Sequence, residues 1–357
     1  MGVWSTHASQ GRIPLANSSG ASAAGITLYH NEMLRYMQTV DKLTVHVVVD
    51  NITDMLSTRP KHVASELRVL MAAGMTELAG EALCSAHHGL CLAVTAHRDG
   101  EARTVLFDAG PDPYALERNG RHMHLDFGRI EALVLSHGHF DHSEGLVKAL
   151  ELIRGANGGQ PVPLHVHPGA FVKRGMRLPS GELLPFQDVP PRHVLEEHGA
   201  HVVVSAEAEE ILDGLFYLSG EIPRRSFERG FKTHFKRAAD GHWEADPWIM
   251  DERFMATHVK GKGIAIFTGC SHAGVVNICR HAREVFHDVP LYALVGGLHL
   301  VYPNDNILSE TIAELRKFGL RVIIPGHCTG WRAVHALIST FGEEIVDPLA
   351  VGSRQTL

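Results

Sequence analysis

The stretch Ser136-His137-Gly138-His139-Phe140-Asp141-His142 decides how this chain is read. It follows Ile130 to Leu135, a short, continuously apolar run that suits a strand buried on both faces. Three imidazoles and a carboxylate within residues 137–142 do not make a core, because burying polar groups without partners costs about 1–3 kcal/mol each. Strand alternation sends His137 and His139 the same way as the strand opens into a loop. Asp141 and His142 then stand at the start of the next helix and face a second position a short way off. That is geometry for two metal ions, each given imidazole nitrogen, with open positions for water. The bland alternative is a solvated histidine-rich loop.

Outward from this segment the chain reads as sheets flanked by helices, an α/β protein. The first firm strand runs from Leu43 to Val49, and a helical stretch is expected from about His62 to Gly80. Leu90 to Ala96 and Arg103 to Phe107 form two strands joined by the hairpin signal Asp99-Gly100. After the histidine segment, Ser143 to Arg154 reads as a helix. Strands at Leu164–Val166, His201–Val204, Gly214–Leu218, Gly263–Phe267, Leu291–Val295 and Arg321–Ile324 then alternate with helices near 274–287 and 307–319. Residues 1–41 are rich in Ser, Gly and Ala and are expected to be a flexible extension, leaving 42–357 as the folded domain. Residues 173–250, irregular and rich in Pro, Gly, Arg and aromatics, are expected to be an insertion that shapes a pocket.

Composition excludes several classes. The 357 residues are 45% hydrophobic and 20% charged, ordinary for a globular protein and poor for disorder or a coiled coil. No apolar run approaches the roughly 18 residues of a membrane helix. The formal net charge of −7 argues against nucleic acid as a partner and disfavours a ribonuclease. Five cysteines without a CxxC pair fit reduced thiols in a cytoplasmic enzyme better than a disulfide framework. Histidine, at 26, is the unusual count and points to metal or proton chemistry.

The segment His137-Gly138-His139-Phe140-Asp141-His142 resembles, without a gap, the HxHxDH signature of the metallo-β-lactamase superfamily. Other segments resemble that family in the right order. Leu106-Phe107-Asp108-Ala109-Gly110 is similar to the strand ending in an aspartate that orients a ligand histidine. Phe267-Thr268-Gly269-Cys270 stands where the family has its metal-bridging aspartate, and Pro325-Gly326-His327 resembles the last ligand motif. Val49-Asp50-Asn51, His88-Gly89-Leu90, Ser219 to Arg224, Gly269 to Gly274 and Gly296 to Leu300 together are similar to one subgroup, the dihydropterin-ribofuranosylaminobenzene-phosphate-synthase-like metal-dependent hydrolases. The resemblance implies an αββα sandwich, two mixed sheets packed face to face with helices outside. It implies His137, His139, Asp141, His142 and His327 as ligands, with Asp108 behind them and Asn51 beside the site orienting substrate.

Two departures from the family pattern leave alternatives open. Where most members have a third histidine, this chain offers Glu221, which completes the first metal site or pairs with Arg224 or Arg225. Cys270 replaces the bridging aspartate, and is either a thiolate ligand for zinc or iron or a small buried thiol beside a single strongly held ion. His272 and His299 are candidates for metal ligation or for protonating the leaving group. His165 and His167 imitate a ligand pair, but a structural role fits their strand better. Arg224, Arg225, Arg229, Lys232 and Lys236 either grip an anionic substrate or form a solvated charged face.

These residues predict a metal-dependent hydrolase acting on a small, anionic or heteroaromatic molecule, with zinc as cofactor (one or two ions, iron or manganese being alternatives). Metal would lower the pKa of bound water to about 7 and supply hydroxide at neutral pH, with His299, His272 and Asp141 handling protons. A lactonase or hydrolytic dehalogenase, a di-iron redox enzyme and a non-catalytic binding protein on the same fold are the alternatives. A homodimer is compatible with the composition, and no membrane partner is expected.

Overall fold

A computed structural model describes residues 37–357 of the chain. Most of the expected extension therefore lies outside the described residues. Its last part is already in the sheet: Thr39–Val40 pairs in parallel with Met255–Val259.

Two large mixed sheets form the body. In one, the strands run in the order Ala200–Val204, Val162–Val166, Ile130–Val134, Glu101–Phe107, Cys91–Arg98, Lys42–Val49, Arg354–Thr356 and Val63–Ala64. In the other the order is Glu209–Ile211, Phe216–Leu218, Met255–Val259, Gly263–Thr268, Leu291–Gly297 and Val322–Gly326. Their inner faces meet in a core that joins Val45, Leu92, Phe107 and Val134 from the first sheet to Leu218, Phe267, Val295 and Ile324 from the second. The outer face of the first sheet packs Leu106, Leu133 and Leu164 against Leu146, Leu150 and Ile153 of helix Leu146–Ala156. Helix Val275–Val285 covers strand Leu291–Gly297 on the far side. This is the α/β sandwich expected from the sequence. No helix among the described residues is long and apolar enough to cross a membrane.

Local chemistry explains several elements. Strand Lys42–Val49 buries Val45 and Val47 in the inter-sheet core, yet Val48 and Val49 lie in the outer one. A bulge opposite Cys91 inserts the extra residue that turns Val49 over, and Asp50 follows it out of the strand. Helix Pro113–His122, not expected from the sequence, begins as helices should: the Asp112 carboxylate accepts from Tyr114 N at 2.9 Å and proline takes the first turn. The helix expected over 62–80 is confined to Glu66–Ala72. Strand Met255–Val259 and helix Trp331–Phe341 are also additions to the sequence reading.

The stretch 173–250 is not one insertion. Arg174–Arg177, Leu183–Pro185, His234–Arg237 and Trp243–Ala245 make a separate antiparallel sheet, while the three strands between 200 and 218 return to the two large sheets. The small sheet is thus built from two arms that flank core elements. Strands Gly263–Thr268, Leu291–Gly297 and Val322–Gly326 run parallel, so the loops leaving them converge at one edge. Ile130–Val134 delivers the histidine segment to the same place. Such C-terminal edges are where open α/β sheets place their ligands.

His46, on strand Lys42–Val49, illustrates the acid sensitivity that so many histidines confer. Burial first, then Arg354, lower its imidazole to about 4. The unfolded chain takes up a proton near pH 6.5 that the folded chain refuses, so stability is full above 6.5 and falls as pH drops towards 4. His46→Gln is expected to flatten this limb by up to about 3 kcal/mol in urea unfolding measured between pH 7 and 4. An unchanged slope would contradict the assignment.

Candidate functional site

Two clusters of donor atoms meet at the converging loops. The first comprises His137, His139 and His272; the second Asp141, His142, Cys270 and His327; within each, the donor atoms lie within 4.8 Å of one another. His137 and His139 arrive from the strand end, with Nε2 and Nδ1 3.1 Å apart. His142 Nε2 lies 3.2 Å from Cys270 Sγ, and His327 Nε2 lies 3.2 Å from Asp141 Oδ2. Gly138, between the two histidines, must be glycine because a Cβ there would stand 2.1 Å from the Ala170 carbonyl oxygen.

Buried carboxylates aim these side chains. Asp108 accepts from His142 Nδ1 at 2.6 Å and from Ser136 N and Oγ at 2.7 and 2.8 Å, which turns His142 Nε2 towards Cys270. Asp50 accepts from His327 N at 2.8 Å, and Asn51 donates to the His327 carbonyl at 2.7 Å. Asp251 accepts from Gly138 N at 2.8 Å and is itself held by Arg174. Glu252 accepts from His272 N and Ala273 N at 2.8 and 2.5 Å. Asp251 and Glu252 thus fasten both ligand loops from one short segment. Sequence reasoning passed over them, because an acidic pair followed by Arg253 reads as an ordinary solvated charge cluster. Asp108, Ser271, His299 and His327 all adopt left-handed backbone, a strained conformation for non-glycine residues that concentrates at functional sites.

The electrostatics match a cation-binding centre. Burial, reinforced by neighbouring imidazoles, holds His137, His139 and His272 well below the usual histidine range, so they are neutral and present lone pairs. Burial would raise Asp141, but His142 and His327 outweigh it and keep the carboxylate ionised. Burial would lower His142, but Asp108 and Asp141 outweigh it and bring it up to about 9, so its Nε2 proton has to leave before that nitrogen can hold an ion. His139 Nε2, both His272 ring nitrogens and His327 Nδ1 are buried with no hydrogen-bond partner. Open imidazole nitrogens beside a carboxylate and a thiol fit divalent transition-metal ions, zinc among them.

The structure rearranges part of the expected ligand set. Glu221 belongs to neither cluster: its side chain is 51% exposed and 3.6 Å from His167 Nε2. His272 takes the place beside His137 and His139, because the loop after strand Gly263–Thr268 reaches the site while Glu221 faces outward. Arg224 is also withdrawn from any anion-binding role, since its guanidinium is spent on the carbonyls of Ile222, Trp248 and Ile249. Arg225 pairs with Glu284 and Lys236 with Glu244. His165 faces Glu209 at 3.2 Å, away from both clusters.

A cavity of about 620 Å³ opens onto the site. Its floor holds His139, Asp141, Cys270 and His272; Phe140, Phe186, Phe231 and Leu178 give it apolar walls, and Arg177 and Lys232 bring charge. His234, unremarked in the sequence, comes from the small sheet and stacks on His139 with ring centres 5.3 Å apart and planes 15° from parallel.

Comparison with known proteins agrees with this fold. A family described as the beta-lactamase superfamily domain matches residues 103–205. A 7,8-dihydropterin-6-methyl-4-(beta-D-ribofuranosyl)-aminobenzene-5'-phosphate synthase of Methanocaldococcus jannaschii is 28% identical over 260 residues, covering 72% of this chain and 86% of that protein. An uncharacterized protein of the same organism is 28% identical over 237 residues, covering 66% and 82%. Among solved structures, a metal-dependent hydrolase of the beta-lactamase superfamily superposes with a TM-score of 0.63 at 21% identity, covering 88% of this chain and 98% of that one.

The rearranged donor set yields a direct expectation for metal content by mass spectrometry. His272→Ala is expected to lose about one ion per chain relative to wild type, and Glu221→Ala none. The reverse pattern would restore Glu221 as the ligand.

Proposed function

We propose that this chain is a member of the metallo-β-lactamase superfamily and a metal-dependent hydrolase of small molecules that carry an aromatic or heteroaromatic group and negative charge, a reading supported by the family match over residues 103–205 and by the shared fold. The observation that carries this reading is the pair of donor clusters at the cavity floor, with buried ring nitrogens that no protein group satisfies. His137, His139 and His272 would hold one ion, and Asp141, His142, Cys270 and His327 a second. A sulfur donor among nitrogens favours zinc. Bound there, divalent ions supply Lewis acidity and make water at the site more acidic.

The chain's own residues do the rest. Asp108 fixes the ring orientation of His142 through Nδ1, so that Nε2 stays available. The walls formed by Phe140, Phe186 and Phe231 exclude water and offer faces on which a flat ring can stack. Lys232 is exposed at the mouth and attracts an anionic substituent. Burial first, then His299 and Arg174, lower His234 to about 4, so at neutral pH its ring is uncharged. Its buried Nδ1 has no protein partner, and hydrogen-bonds the departing group. Asn51 acts through the His327 carbonyl that it holds.

A second reading keeps the same site and changes the reaction. The Methanocaldococcus jannaschii relative is named a synthase, so bond formation between two substrates in the cavity is the competing activity. Reaction in ¹⁸O-labelled water separates them: a hydrolase places the label in product, whereas a synthase leaves product oxygen unlabelled.

His139→Ala is expected to abolish turnover of an aryl ester or phosphodiester panel, and wild-type rates in that variant would overturn the reading. Lys232→Ala is expected to raise KM about 5–30-fold for anionic substrates, the worth of roughly 1–2 kcal/mol, and to leave neutral ones unchanged.

A further inference from the structure

The loops leaving three neighbouring parallel strands bring a third group of donors together. Cys270 follows strand Gly263–Thr268, His299 follows Leu291–Gly297 and Cys328 follows Val322–Gly326. Their donor atoms lie within 4.8 Å of one another, and all three side chains line the cavity. Both thiols are buried and His299 is half-buried. We propose that Cys270, His299 and Cys328 form a third cation position, which takes a thiophilic divalent ion such as zinc or cadmium.

Four features show a built arrangement. Cys328 Sγ makes a long contact, 3.5 Å, to the Cys270 carbonyl and interacts with the Cys270 and His299 side chains, and His299 Nδ1 is buried without a partner. His299 is held at φ +41°, a strained conformation that turns its side chain out of the strand direction. Gly297 makes room for the thiol: a Cβ there would meet Cys328 Sγ at 2.7 Å and the Gly269 carbonyl oxygen at 2.4 Å. Thr329 ties the two loops together, accepting from Leu298 N at 3.0 Å and donating to the Gly326 carbonyl at 2.7 Å. His299 and Cys328 are therefore fixed relative to each other before any ion arrives.

Two cysteines and one histidine with a remaining open position is a donor set that zinc uses in catalytic sites. All three donors line the cavity, so a further ligand could reach an ion held there from that side. Each thiol releases its proton to solvent on binding, so the ion gains two thiolates and one neutral imidazole. Cys270 belongs to both the second and third groups, and a thiolate sulfur has lone pairs enough to bridge two ions. A third Lewis-acidic position would let the site grip a substrate heteroatom through an ion held by residues other than His137 and His139. The first two positions use no atom of His299 or Cys328, so Cys270 is the one ligand this inference shares with the hydrolase reading, and His299 and Cys328 test it separately.

The test is metal stoichiometry on the full chain, purified without chelator, dialysed against micromolar zinc and counted by mass spectrometry. Three ions per chain are expected in wild type, and two in Cys328→Ser and in His299→Ala. His299→Ala keeps the question decidable if the serine variant fails to fold, with thermal melting as the check. Stepwise cobalt(II) addition to the metal-stripped chain gives an independent readout, because the third equivalent should add sulfur-to-cobalt absorption in wild type and none in His299→Ala. Saturation of wild type at two ions overturns the proposal, as does a third ion that both variants retain. A wild-type chain that holds no ion sinks the hydrolase reading as well, whereas saturation at two sinks this proposal alone.

Discussion

Buried imidazoles whose ring nitrogens lack protein partners set the terms for the rest of this molecule. Each such group costs about 1–3 kcal/mol, and the site gathers several of them at one sheet edge with ring nitrogens left open. A fold only marginally stable overall does not retain that cost without a ligand that offsets it. The neutral imidazoles of His137, His139 and His272, with the ionised Asp141 and the Cys270 thiol beside them, are donors for a cation, so the packing itself points to metal. The sandwich supplies the frame: its inter-sheet core fixes the strands whose ends carry His137, Cys270, His299 and His327.

Between that frame and the donors stands a layer of buried acids. Asp108 orients His142, Asp50 fixes the His327 backbone, and Asp251 and Glu252 clamp the loops bearing His139 and His272. These carboxylates do not share the donors' open contacts; each accepts from named N–H groups at hydrogen-bond distance. They convert rigid secondary structure into aimed side chains, the support that a metal site needs to hold its ligand geometry. The aromatic cavity above, closed partly by the small separate sheet, then decides what can approach.

The sequence made the fold and much of the centre legible because their signals are local. The histidine segment, Asp108 and His327 each sit at the end of an apolar run, and strand periodicity plus a short loop places them without knowledge of distant contacts. What escaped depends on tertiary direction. Glu221 and His272 were both plausible third ligands, and only the path of the two loops shows that one faces outward and the other inward. Arg224 reads as a surface cation, yet backbone carbonyls of the chain near Trp248 capture it. His234 lies in an irregular stretch where no periodicity marks it, and the small sheet alone carries it over His139. The bracing role of Asp251 and Glu252 spans more than a hundred residues to Gly138 and about twenty to His272, separations that no local pattern encodes.

The account rests on the claim that the two principal donor clusters are occupied by separate ions. Anomalous X-ray diffraction at the absorption edge of the resident metal, on crystals grown without added chelator, tests it most directly. The account predicts one peak enclosed by His137, His139 and His272 and another enclosed by Asp141, His142, Cys270 and His327. A single peak shared between the clusters, or none at either, would contradict it.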